Sequence, residues 1–320
     1  MKILGFPILL VIVELKTVLS LRSRDGHSKE RIQLYTNKHL AASARNLKSL
    51  KVDEISASLW DTYEKNLLNS AESRYVGNAE IHQAGDYIEL EFRKLGLEIM
   101  INEFNSPVDV DSRKARNIVG RLVGTDKETI LVGAHYDSLP RDGASPGADD
   151  NASGVATMLS IANALSRSKL KRNVVFVAFS GEEAGMLGSS HFADTLAPSL
   201  DIVDSIILDQ NGNPGTSHSV IFESVGESDE KHRIIDTLAD SVDSEKLSGG
   251  FVVNYNGFGS DHVPLSNAGI PSVLVIESEN MEFARQYGHT DRDVLANVDP
   301  TFGSGIAQTV LTSVVRLAMA

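Results

Sequence analysis

From about Arg74 onward the chain sets solid apolar runs, TILVGA (129–134), VVFVAF (174–179), SIIL (205–208) and SVLVIE (272–277), between longer helix-like segments. A strand with one face in water alternates apolar and polar residues. A run without alternation must be covered on both faces, as in a parallel sheet sandwiched between helices. The intervening segments supply those helices. AEIHQAGDYIELEFRKLG brings Ile81, Ala84, Ile88 and Phe92 near one face, with Gly96 beyond the last turn. SGVATMLSIANALSRS reads as a helix capped by Ser153, and SSHFADTL and ESDEKHRIIDTLADSV as two more. LEIMINEF and NIVGRLVG add strands ahead of TILVGA. The expected fold is α/β, a single three-layer domain over 73–320 with a mostly parallel central sheet flanked by helices.

Charged residues stand directly after several of these runs. His135 and Asp137 follow TILVGA, Glu182 and Glu183 follow VVFVAF by two residues, and Asp209 follows SIIL. Ligand sites of open α/β sheets lie outside the carboxyl ends of the strands. Buried carboxylates that are neither paired nor bound to a cation are costly. Three strand ends delivering imidazole and carboxylate to one edge therefore imply a cation. The chain has no cysteine, so any metal must be held by His and carboxylates. A net charge of −13 excludes the clustered basic surface that nucleic acid requires.

Single motifs are weaker. In GAHYDSLP (133–140) an imidazole is followed two residues later by Asp137, a carboxylate able to fix the ring. In PGADDNASG (146–154) Asp149 and Asp150 adjoin a helix start, where acidic residues are common without any ligand. GASPG (143–147) matches the G-x-S-x-G pattern of serine hydrolases. It follows no strand, and Pro146 lacks the N–H that an oxyanion hole needs after the serine.

Together these pieces resemble the M28 family of zinc peptidases, the leucyl-aminopeptidase-like co-catalytic metallopeptidases. The resemblance runs from RYVGN at Arg74 to the C-terminus, with GAHYDS, GADDNASGV, FSGEEAGMLGS, ILDQNG, SDHVPLSNAGIP and YGHTDRD in the family's order. It implies a zinc-dependent exopeptidase fold, phosphorylase/hydrolase-like, and two zinc ions bridged by Asp149. Glu183 and His289 would complete one ion's ligands, His135 and Asp209 the other's. Glu182 would be the general base, Asp137 and Asp293 would orient the two histidines, and the Asp149–Asp150 peptide would be cis. The implied activity is release of N-terminal residues from peptides with a free N-terminus. A glutaminyl cyclase or a carboxypeptidase of the same fold is the alternative, and a non-catalytic binding ectodomain a further one. Such ectodomains lose ligands or the base, and this chain keeps them all.

Several features depart from the pattern or lie outside it. Gln210-Asn211 stands where the family is usually apolar, and Gly288 precedes His289, so a purely hydrophobic leucine pocket is not implied. Tyr255 is the nearest candidate for an oxyanion-stabilising tyrosine or else packs on a loop, and Asp261 and His262 are expected beside the site as support. His27, His39, His82, His191, His218 and His232 read as surface residues. At the N-terminus, Lys2 followed by the apolar Ile3 to Val13 reads as a secretory signal over 1–20, too short to span a membrane, implying a secreted or extracytoplasmic protein with no membrane span after cleavage. Residues 21–72 read as a helical extension or propeptide.

Overall fold

The computed structural model describes residues 52–108, 114–140, 144–257 and 259–320; the expected signal segment lies outside them. Eight strands form one mixed sheet: β1 (Glu98–Phe104), β2 (Ala115–Leu122), β3 (Thr129–His135), β4 (Asn173–Phe179), β5 (Ile202–Leu208), β6 (Ser219–Glu223), β7 (Gly250–Asn254) and β8 (Ser272–Glu277). Their order is β1-β2-β4-β3-β5-β8-β6-β7. The parallel pairing expected from the solid runs forms the central block β4-β3-β5-β8. Antiparallel β1 and β2 widen it on one side, and β6, antiparallel to β8, on the other.

Alternate residues of each central strand enter different layers, because successive side chains point to opposite faces. Ile130, Val132, Val174, Phe176, Ile206, Leu208, Val273 and Val275 join one apolar cluster. Leu131, Val175, Val177, Phe179, Ile207 and Leu274 join the other. The first cluster is roofed by α1 (Ala57–Ser70), α2 (Ile81–Lys94), α3 (Gly154–Leu165), α5 (Asp229–Ala239) and α8 (Pro300–Met319). The second is covered by α4 (Leu187–Thr195) and α6 (His262–Asn267), through Phe192 and Leu265. A short α7 (Asn280–Gln286) precedes His289. No described helix is long and apolar enough to cross a membrane.

The structure bears on two sequence expectations here. Helix α1 falls inside the segment read as an extension, yet Trp60 and Leu67 are fully buried and Trp60 Nε1 donates to Thr157 Oγ1 of α3 at 2.9 Å. Its apolar stripe completes the core, so the folded body begins ahead of residue 73. Ser153 does not cap α3 with its side chain; Asn151 Oδ1 accepts from Gly154 N at 2.9 Å, and the Ser153 hydroxyl donates to Asp149 O.

Candidate metal centre

The parallel block sends its strand ends to one edge. His135 is the last residue of β3, Asp209 follows β5, and Glu182 and Glu183 sit in the turn after β4. Two groups of ligand-type side chains assemble there: His135, Asp150 and Asp209, and Asp150, Glu183 and His289. In the first, His135 Nε2 lies 3.3 Å from Asp209 Oδ1 and 3.4 Å from Asp150 Oδ1. In the second, His289 Nε2 lies 3.0 Å from Glu183 Oε2 and 3.3 Å from Asp150 Oδ2. Asp150 thus turns one oxygen to each group.

The shared carboxylate belongs to Asp150, not to Asp149 as the sequence reading had it. Asp149 turns away: its Oδ1 accepts from Gly212 N at 2.7 Å, and its pKa is raised by burial. The non-proline cis peptide is correspondingly Asp150–Asn151 rather than Asp149–Asp150. Two adjacent aspartates look alike in sequence, and only the backbone turn after Gly147 decides which one faces the histidines.

Asp137 and Asp293 act as paired tethers. Asp137, fully buried, accepts from the backbone amides of Glu182 and Glu183, each at 3.1 Å, one on each oxygen. It also lies 3.6 Å from His135 Nδ1, whose nearer partner is the Asp137 carbonyl at 3.3 Å. Asp293, expected beside His289, instead accepts from Asp149 N at 2.8 Å and Asp150 N at 3.0 Å. Each tether fixes the turn that carries a metal-facing acid.

The electrostatics suit a divalent cation. Burial disfavours charge on His135, but Asp209, with Asp137 and Asp150, overrides it and raises its pKa well above the ordinary value. Hydrogen bonds donated to the Asp150 and Glu183 carboxylates lift His289 to about 10. Burial, with Asp150 beside it, pushes Glu183 up to about 7. Burial likewise raises Glu182, and Asp261 adds to the shift while His135 opposes it. Several buried acids crowd together here, a charge that a divalent cation would offset, and Glu183 Oε1 is buried without a hydrogen-bond partner. Imidazole and carboxylate donors in groups of three are a set that zinc accepts.

The remaining candidates are distributed unevenly. Asp261 is fully buried, its pKa pushed to about 7 by burial, with the His135 charge opposing and Asp137 and Asp209 adding to the shift. His262 points elsewhere, with Nε2 3.9 Å from Glu223 Oε1, and burial lowers it to about 4. Support for Asp209 comes from Ser260, whose hydroxyl donates to Oδ2 at 2.8 Å. Tyr255 sets its ring edge-on to His232, 5.3 Å between centroids. Gln210 adopts φ 46° and donates from Nε2 to Asp150 Oδ2 at 3.3 Å. Gly288 answers to packing: a Cβ there would meet Ala284 Cα at 2.7 Å. Asn151, the one glycosylation acceptor pattern, is buried and donates to Leu208 O. His191 packs on Phe104 and His218 on Phe302, while His232 lies 3.1 Å from Glu227. His27 and His39 lie outside the described residues.

Sequence reasoning missed Ser260, Glu277 and the role of Asp150. Ser260 stood inside the quoted SDH motif, and Glu277 closes SVLVIE as one more acid at a strand end.

A mixed sheet with two His/carboxylate groups at the carboxyl edge of its parallel block defines an α/β protein of the metal-site class. Peptidase family M28 matches residues 117–314, and the chain belongs to that family. It is 32% identical over 228 residues to leucine aminopeptidase 1 of Ajellomyces capsulatus (strain H88), covering 64% of this chain and 56% of that protein. It is 33% identical over 180 residues to aminopeptidase YwaD of Bacillus subtilis (strain 168), covering 53% of this chain and 37% of that protein. The matched regions thus span about half or less of these relatives' lengths. Among solved structures, the Legionella pneumophila LapA aminopeptidase superposes with TM-score 0.74 at 18% identity, covering 91% of this chain and 78% of that one. A Bacteroides thetaiotaomicron glutaminyl cyclase superposes with TM-score 0.67 at 20% identity, covering 82% and 99%. At these identities the likeness is one of fold.

Proposed function

We propose that the protein is a di-zinc aminopeptidase that hydrolyses the first peptide bond of substrates with a free N-terminus. The observation that carries this reading is the division of Asp150 between two groups, Oδ1 toward His135 and Oδ2 toward His289. His135 and Asp209 would hold one ion, Glu183 and His289 the other, with Asp150 between them. A bound zinc pair polarises a carbonyl and makes water more acidic.

The chain's own groups account for the rest. Glu182 is held by its amide on Asp137 and lies beside both groups, where it can take a proton from the attacking water and return it to the leaving amine. Its raised pKa suits a group that must both accept and donate. The acidic surround of the site favours a cationic N-terminus over a blocked one. The apolar stretch Ile3 to Val13 supports export from the cytoplasm.

Glu182→Ala tests the mechanism. It should retain zinc and lose turnover of an aminoacyl-anilide by roughly a hundredfold to ten-thousandfold. Near wild-type turnover would remove Glu182 from its role. The same substrates with free and blocked N-termini separate the alternatives. Cleavage of blocked peptides from the far end indicates a carboxypeptidase, and ammonia release from N-terminal glutamine a cyclase.

A further inference from the structure

Arg74 is the one Lys or Arg among the described residues that is fully buried. Buried guanidinium groups ordinarily pair with a carboxylate. Arg74 makes no such pair among the described residues. Its donors go to main-chain carbonyls instead: Nε to Tyr136 O and Nη2 to Gly147 O, each at 2.8 Å, and Nη1 to Pro146 O.

Those carbonyls lie close in sequence to two of the residues facing the candidate metal groups. Tyr136 follows His135, and Gly147 stands three residues ahead of Asp150. The backbone of residue 74 joins the same clasp. Ser138 N donates to Arg74 O at 3.3 Å, Arg74 N donates to the Ser138 hydroxyl at 3.1 Å, and that hydroxyl donates to Ser145 O at 3.0 Å. The fit is tight. Gly147 passes at φ 59°, and a Cβ on it would meet Ser138 Cβ at 2.7 Å and Arg74 Nη2 at 3.0 Å.

We propose that Arg74 is a positioning residue for the metal site: its planar fork clasps Tyr136 to Pro146 and Gly147 and so fixes the spacing of His135 and Asp150. The inference rests on reading those residues as metal ligands. The fork, more than the charge, is the operative property. A lysine carries the charge but cannot present several donors in one plane to separate carbonyls.

Zinc affinity, measured by competition with a chromophoric chelator, and zinc stoichiometry test this on the wild-type protein, Arg74→Lys and Arg74→Met. Both variants should bind zinc more weakly by roughly tenfold to a hundredfold, the range for loss of a group that orients a ligand, with Arg74→Lys no better than Arg74→Met. Wild-type affinity in either variant overturns the proposal. A wild-type protein that binds no zinc removes the metal reading itself, and this inference with it. Two zinc ions in the wild type and in both variants at equal affinity sink this inference alone. Where the Arg74 variants do not fold, Ser138→Ala decides, since it opens the clasp and leaves the guanidinium in place. Weaker zinc binding with an unchanged metal-free melting temperature supports the proposal, and unchanged binding overturns it.

Discussion

Asp137→Asn perturbs the tether under Glu182, the proposed general base, with almost no change of shape. In the native turn each oxygen of this fully buried carboxylate accepts one amide, Glu182 N on Oδ1 and Glu183 N on Oδ2, both at 3.1 Å. Asparagine keeps one acceptor and presents an N–H group to the other amide, donor against donor. Hydrogen bonds to charged groups contribute about 1.5–3 kcal/mol each. At least one is lost from the turn that aims Glu182. If that loss enters the barrier in full, kcat falls by about tenfold to 150-fold, at 1.36 kcal/mol per decade. The assay is kcat on an aminoacyl-anilide at saturating substrate and zinc, with the melting temperature measured alongside. Asp137→Ala leaves both amides without their acceptor and should fall further. A kcat for Asp137→Asn indistinguishable from wild type would refute the idea that this tether positions the base.

Trp60→Ala should destabilise the fold by about 3–5 kcal/mol, the usual cost of emptying a large aromatic site, and chemical denaturation measures it. A chain beginning at Ser73 should be less stable still, since it lacks α1 entirely; wild-type stability in either protein would put α1 outside the core. Burial pushes Glu64 up to about 9 from an ordinary 4.5, and neither of its oxygens has a hydrogen-bond partner. The folded state therefore keeps a proton that the unfolded chain releases, so this group's contribution falls as pH rises from about 4.5 toward 9. Glu64→Gln should raise the melting temperature more at about pH 8 than at about pH 5, and an equal shift at both would refute the assignment.

The central sheet was legible because burial on both faces leaves a mark in sequence. TILVGA and VVFVAF are apolar throughout since their alternate residues enter two different clusters. SVIFE and GFVVN were not read as strands. Each is five residues long, and β7 at the sheet edge is half-buried along most of its length, so neither carries a solid run. Helix α8 was missed as well: it is buried nearly all round by small and apolar residues and shows little amphipathic contrast. The convergence of the site was legible wherever a side chain's placement follows from its strand end, as for His135, Glu183 and Asp209. It was illegible where the role depends on backbone direction. Asp149 and Asp150 differ by one peptide unit, Asp293 serves amides in place of an imidazole, and the Arg74 side chain, among the described residues, binds carbonyls, which no side-chain motif announces.

The most direct test of the account is anomalous diffraction at the zinc edge from crystals grown with zinc. Two peaks are expected about 3.5–4 Å apart, the spacing of paired catalytic metals, with the Asp150 carboxylate between them and Asp149 in contact with neither. One peak, or a pair held by Asp149 in place of Asp150, would contradict it.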